Sequence, residues 1–201
     1  MPLWLAERPL ILASKSAARR AMLEAAGVSV EALPADVDER ALEGKSPGAA
    51  AHVAGMLARE KARAVAALRP DCLVVGADQT LALGAKRFSK PADRAAALAQ
   101  LTELRGRTHE LHSAVAVVRN DAVLFEASDT ARLSMRSFSD EFLDAYLDET
   151  GAAATASVGG YQLEGRGVQL FERIDGDYFT ILGLPLLPLL NFLRAEGVLA
   201  A

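Results

Sequence analysis

The chain has 201 residues, 51% of them hydrophobic, a mean hydropathy of +0.16 and a net charge of −4. That length suits one large domain or two closely merged lobes, and the apolar share supplies a sizeable core, which excludes a disordered chain. The mild acidity and the lack of a basic run argue against nucleic acid or an anionic membrane surface as partner, so a protein of this charge that handles a polyanion must gather its cations locally.

The lone cysteine, Cys72, leaves no internal disulfide, and its apolar neighbours predict a small buried side chain. The opening "MPLWLAERPL" mixes acid and base without a long apolar core, so it does not read as a signal peptide. The most apolar stretch, "ILGLPLLPLLNFL", contains two prolines and is too short to span a bilayer. The cytoplasm is the expected compartment.

In chain order, Leu10-Ile11-Leu12-Ala13 reads as a short strand covered on both faces. It runs through Ser14 into a helix from about Ala17 to Ala26, capped by Ser16 and stopped at Gly27. A strand, a polar turn and a helix start make a site suited to anions. On that helix Arg19 shares the inward stripe with Leu23, while Arg20 can pair outward with Glu24. An ordinary capped helix with two solvated arginines explains the same stretch equally well.

"VSVEALPADVDER" is then a strand ending in an acidic loop at Asp36, Asp38 and Glu39, and Ser46-Pro47 opens a long helix to about Leu68. "DCLVVGAD" is a buried strand, and "TLALGAKRFSKP" continues it as a hairpin turning at Gly84. Asp93 to Leu104 is a helix, and a long hairpin turns at Asn120-Asp121. Ser139 caps a helix through Glu149, and a glycine-rich loop follows at Gly159-Gly160. "GVQLFERI" and "YFTIL" read as strands joined at Asp175-Gly176-Asp177, and Pro185 to Glu196 is the final helix. Strands alternate with helices, but the hairpins demand antiparallel pairs, which makes the fold α/β with a mixed sheet flanked by helices.

Four polar residues break their local pattern. Lys61 sits amid the inward stripe Val53, Leu57, Val65 and Leu68, where a lone lysine commonly snorkels to water. Asp78 ends the buried run 73–77, where α/β sheets gather ligands, although an aspartate there also starts turns. Lys90 before Pro91 reads alone as a surface lysine, and Glu164 lies in the glycine-flanked "GGYQLEGRG", which also suits a surface loop. Together, Arg19, Lys61 and Lys90 with Glu39, Asp78 and Glu164 are the inventory for holding a polyphosphate through a hard divalent cation. Other sites are poorly supported. His109 and His112 are three apart on a strand and point to opposite faces, and the sequence has no HExxH, CxxC, GxGxxG, P-loop or GxSxG pattern.

The ordered blocks "LASKSAARRAML", "ADVDER", "AREKARA", "VVGADQTL", "SKP", "LRGRTHELHSAVAV" and "GRGVQLFERIDGDYFTILGLPLLPLL" cover nearly the whole chain. In this series the chain resembles the Maf-like nucleoside triphosphate pyrophosphatases, relatives in fold of the inosine triphosphate pyrophosphatases. The resemblance implies one domain over 1–201, built as two α/β lobes around a central cleft and often dimeric. It implies hydrolysis of a nucleoside triphosphate to the monophosphate and pyrophosphate with Mg2+ or Mn2+. By position, Ser14, Arg19, Lys61 and Lys90 would bind phosphates, Asp78 would be general base and metal ligand, and Glu39 would share the metal.

The family often has Ser-Pro-Arg-Arg where this chain has Ser16-Ala17-Ala18-Arg19. The branch acting on dTTP and UTP carries arginine at the Ala18 position, threonine at Gln79 and glutamine at Glu164. The 7-methyl-GTP branch carries tryptophan, glutamine and glutamate, so this chain fits it at Gln79 and Glu164 and fits neither branch at Ala18. The function expected is removal of modified or non-standard nucleotides. The rivals are a catalytically weak nucleotide-binding regulator of cell division and an enzyme acting on inosine triphosphate.

Overall fold

The computed structural model describes residues 2–45 and 48–201. In chain order the elements are β1 (Leu10–Leu12), α1 (Ala17–Ala25), β2 (Val30–Ala32), α2 (Glu39–Lys45), α3 (Ala50–Ala66), β3 (Val74–Leu83) and β4 (Lys86–Phe88). They continue with α4 (Arg94–Leu104), β5 (Thr108–Arg119), β6 (Ala122–Met135), α5 (Asp140–Thr150), β7 (Phe171–Asp175), α6 (Tyr178–Ile181) and α7 (Leu186–Ala195). The strands form one mixed sheet in the order β2-β1-β3-β5-β6-β7, with β4 pairing β3 off that path. β1 runs parallel to β2 and β3, whereas β4 is antiparallel to β3 and β7 to β6. The mixed α/β class expected from the alternation and the hairpins is the one observed.

The chain divides into two compact units. The first holds Met1–Gln79, Ser113–Asp129 and Gly183–Ala201. Its core sets Ile11, Ala13 and Val74 against Ala62, Val65 and Ala66 of α3, and Ala54 and Ala58 against Ala114 and Ala116 of β5. Small residues on both sides let α3 lie close to the strands. A Cβ on Gly76 of β3 would stand 2.0 Å from the Ala58 carbonyl oxygen and 2.6 Å from the Ala62 nitrogen. The second unit holds Thr80–His112 and Thr130–Leu182, and its core gathers Leu81, Leu101, Leu104, Leu133, Leu143 and Tyr161.

Several expectations need correction. Ser46 and Pro47 lie outside the described residues, and α3 begins at Ala50 with Ala49 at its N-cap. Leu68 is 69% exposed, because α3 ends at Ala66 and the helical phase that would turn it inward is gone. Glu39 stands in the first turn of a helix, not in a loop, since Asp38 accepts from the Ala41 nitrogen at 3.0 Å. Asp78 is in the middle of β3 and not at a strand end, because pairing continues through to the β4 hairpin. Cys72 is half-buried, its sulfur 3.9 Å from an Arg8 guanidinium nitrogen.

The largest revision is at "YFTIL", which is helical over Tyr178–Ile181. The Asp177 carboxylate accepts from the Thr180 nitrogen at 3.1 Å, and this local cap overrides the strand preference of an aromatic and β-branched run. Likewise "GVQL" is a 3-10 turn over Arg166–Leu170, and only Phe171–Asp175 pairs as strand.

Candidate active site

Lys61 does not escape to water. It is 9% exposed, and its ammonium lies 2.6 Å from Asp78 Oδ1 and 2.8 Å from Glu39 Oε1. Three elements supply the three groups. α3 carries Lys61 on the same stripe as the buried Leu57 and Val65, β3 carries Asp78, and the start of α2 carries Glu39. Asp78 is 7% exposed, and its burial pushes the carboxyl above the usual aspartate range, against the opposing pull of Lys61 and Arg19. An acid so held can take up a proton at a pH where a surface aspartate cannot.

Arg19 enters the same unit from α1. Its Nη1 donates to the Ala77 carbonyl at 2.8 Å and to Ser14 Oγ at 3.3 Å, and its Nε donates to the Gly183 carbonyl at 2.8 Å. Burial lowers its pKa, partly offset by Asp78 and Glu39. Ser14 Oγ also accepts from the Ser16 nitrogen at 3.2 Å, and Ser16 Oγ caps α1 by accepting from the Arg19 nitrogen at 3.3 Å. Arg20 pairs outward with Glu24 at 2.7 Å, as the helical spacing implies. Arg19 therefore ties the turn after β1, the strand residue before Asp78 and the segment before α7 to one guanidinium.

Ser14, Arg19, Lys61, Glu39 and Asp78 thus come together in the first unit, which also holds the half-buried Ala18. Gln79 follows Asp78 along β3 and projects to the other face, where its Nε2 donates to the buried Ser113 hydroxyl at 3.0 Å. Lys90 and Glu164 are exposed and belong to the second unit. Two glycines escaped the sequence reading. Gly76 admits α3 to β3, and Gly183, with φ +96, accepts from Arg19 where a side chain would crowd the guanidinium. A glycine inside a buried apolar strand was the available signal for Gly76.

Asp78 and Glu39 offer the hard oxygen donors that a divalent cation takes. Asp78 and Glu39 each place a carboxylate oxygen on one point, the Lys61 ammonium, so two anionic oxygens already converge on a positive centre. Among the described residues no group of three or more His, Cys, Asp or Glu could hold a metal unaided. A cation on Asp78 and Glu39 would then complete its shell from phosphate and water.

The candidate active site is thus a lysine shared by two carboxylates beside a half-buried arginine, on a mixed α/β sheet. The Maf-like protein model matches residues 9–196, and the chain belongs to that family. It is 57% identical over 201 residues to a nucleoside triphosphate pyrophosphatase of Rhodopseudomonas palustris, covering all of both chains. It is 52% identical to a 7-methyl-GTP pyrophosphatase of Rhizobium meliloti, over 96% of this chain and 98% of that one. Among solved structures it is similar to a HAM1 protein from Coxiella burnetii at a TM-score of 0.44 and 15% identity, over 63% of this chain and 72% of that one. No helix among the described residues is long and apolar enough to cross a membrane.

Proposed function

We propose that the protein hydrolyses nucleoside triphosphates to the monophosphate and pyrophosphate, with 7-methyl-GTP or another modified purine triphosphate as preferred substrate. The observation that carries this reading is the buried Lys61 ammonium shared by Asp78 and Glu39, beside Arg19. The full-length similarity to nucleoside triphosphate pyrophosphatases, one of them named for 7-methyl-GTP, supports it.

Asp78 acts as general base, taking the proton of the water that attacks the α-phosphorus; that oxygen enters the monophosphate and the α–β bridging oxygen leaves with pyrophosphate. Lys61, Arg19 and Lys90 neutralise the phosphate charge, and Ser14 donates its hydroxyl. Phosphoryl chemistry asks mainly for positioning and charge stabilisation of this kind. Asp78 and Glu39 would hold Mg2+ or Mn2+, which when bound supplies charge neutralisation at the phosphate oxygens. Glu164 reads the base, where a carboxylate accepts the paired N–H donors of a guanine edge and favours the positive charge of 7-methyl-guanine, and Gln79 is a second specificity position. Ala18 offers no aromatic face, so discrimination is modest. The enzyme works in the cytoplasm as a homodimer, which light scattering on the purified protein checks.

The test is pyrophosphate release from a panel of 7-methyl-GTP, GTP, ITP, dTTP and UTP in heavy-oxygen water. Label in the monophosphate is expected, with 7-methyl-GTP ahead of dTTP and UTP by about 10-fold in kcat/KM. Release of free phosphate and diphosphate instead would mean a terminal phosphatase.

A further inference from the structure

Within the second unit, Glu164 stands on a tight turn that is exposed at its tip and anchored at its base. The Gly165 nitrogen donates to the Gln162 carbonyl at 3.2 Å, and Gly167 packs so closely that a Cβ there would lie 2.4 Å from the Gln162 oxygen. Both ends of the turn therefore meet at Gln162. The preceding residue, Tyr161, is 4% exposed and plunges into the core, edge-on to Phe171 at 4.9 Å between ring centroids. Its hydroxyl lies 2.6 Å from Nε2 of His109, a residue of β5 that is fully buried. Ser157 Oγ bonds the Tyr161 carbonyl, and the Tyr146 hydroxyl donates to the Gly160 carbonyl at 3.2 Å.

The polar pair inside this apolar core is incompletely satisfied, since His109 Nδ1 is buried with no partner. If the tyrosine O–H donates to Nε2, the one orphan is the Nδ1–H. The reverse arrangement strands both the phenol proton and the Nδ1 lone pair, so the first is favoured. Two apolar residues of similar shape would remove the orphan altogether, so packing alone does not account for the pair. Its geometric effect is to fix the depth and rotation of Tyr161, and with it the base of the turn that presents Glu164.

We infer that the Tyr161–His109 hydrogen bond is the positioning element for the turn 162–167 and sets how sharply Glu164 discriminates among nucleobases. The inference rests on the proposed role of Glu164 toward the base. Neither residue touches substrate. Their contribution is pre-organisation, so their loss raises KM more than it lowers kcat and blunts selectivity more than turnover.

Tyr161→Phe removes the hydroxyl and keeps the ring. It is expected to lower the 7-methyl-GTP to dTTP ratio of kcat/KM about 3- to 10-fold, mostly through KM, the range a single hydrogen bond supports. His109→Leu should do the same, and the double variant should be no worse than either single one. His109→Gln, whose amide can occupy the place of Nε2, should restore the ratio. A purely structural pair would shift the melting temperature and leave the ratio alone. Folded Tyr161→Phe and His109→Leu proteins whose KM and ratio stay within twofold of wild type overturn the inference while leaving the pyrophosphatase reading intact. A wild-type protein that releases no pyrophosphate from any triphosphate overturns the reading and the inference with it.

Discussion

Gly76→Ala puts the close approach of α3 to β3 to the test. The added Cβ would stand 2.0 Å from the Ala58 carbonyl oxygen, 2.6 Å from the Ala62 nitrogen and 3.0 Å from the Ala62 Cβ. Two of these are helix backbone atoms, which have no rotamer into which to retreat. Gly76 does not have a positive φ, so alanine costs nothing in local conformation and the whole effect is steric. Restoring normal contact requires α3 to move away by roughly 1 Å, and overpacking of this kind costs about 1–3 kcal/mol. Lys61 lies between Ala58 and Ala62 in sequence and travels with them, so its 2.6 Å contact to Asp78 lengthens or breaks. A displacement of about 1 Å in a positioned group can cost about 10²-fold in rate. Urea unfolding should therefore show a loss near the top of the steric range, and pyrophosphate release should fall about 10²-fold in kcat/KM. Gly55 supplies the contrast on the same helix. Its Cβ would meet nothing within 4 Å, so Gly55→Ala should stabilise by about 0.5–1 kcal/mol through helix propensity and leave turnover alone. A Gly76→Ala protein within about 0.5 kcal/mol of wild type and within threefold in activity would refute the claim that this contact sets the Lys61–Asp78 geometry.

Asp78→Asn keeps the shape and loses the proton acceptor, so kcat for pyrophosphate release should fall about 10²–10⁴-fold; a variant retaining a third of wild-type kcat would exclude Asp78 as the base. Lys61→Met leaves Asp78 buried without its cation, costing about 3 kcal/mol at pH 7.5 by urea unfolding. With the native Asp78 pKa raised further above its unfolded value, the native state binds the extra proton, so that deficit should shrink as pH falls. His109 behaves oppositely: burial lowers its pKa from 6.5 to about 4, so only the unfolded chain protonates within that window. Stability from this residue is complete above pH 6.5 and lost as pH falls, by about 3 kcal/mol at pH 4, and His109→Gln should remove this component from urea midpoints. Glu164→Gln should narrow the preference for 7-methyl-GTP over dTTP and UTP without lowering the best kcat; an unchanged ratio would remove Glu164 from base selection.

The chain's local order was written in its residues. Ser16 and Ser139 each cap the helix expected of them, and Asp93 caps the helix expected to start at it, because a cap depends on a side chain and a nitrogen three residues on. The pattern breaks at Lys61 and Asp78 were legible because a charge on an apolar stripe stands out whatever the fold. Local signals misled where a neighbour outvoted them. "YFTIL" has strand residues and a helical backbone, since Asp177 caps it, and Leu68 follows the helical period beyond the helix that gave the period meaning. Tertiary structure alone decided what the charges do. Lys61 and Asp78 are 17 residues apart in sequence and Arg19 and Gly183 are 164 apart, and only packing brings them within hydrogen-bond reach. Three of Arg19's donor contacts go to Ser14, Ala77 and Gly183, two of them backbone carbonyls, and no side-chain pattern announces a carbonyl partner. The distance from Lys61 to Asp78 follows from the small residues that let one helix lie almost against one strand, a property of two surfaces in contact that neither segment carries by itself.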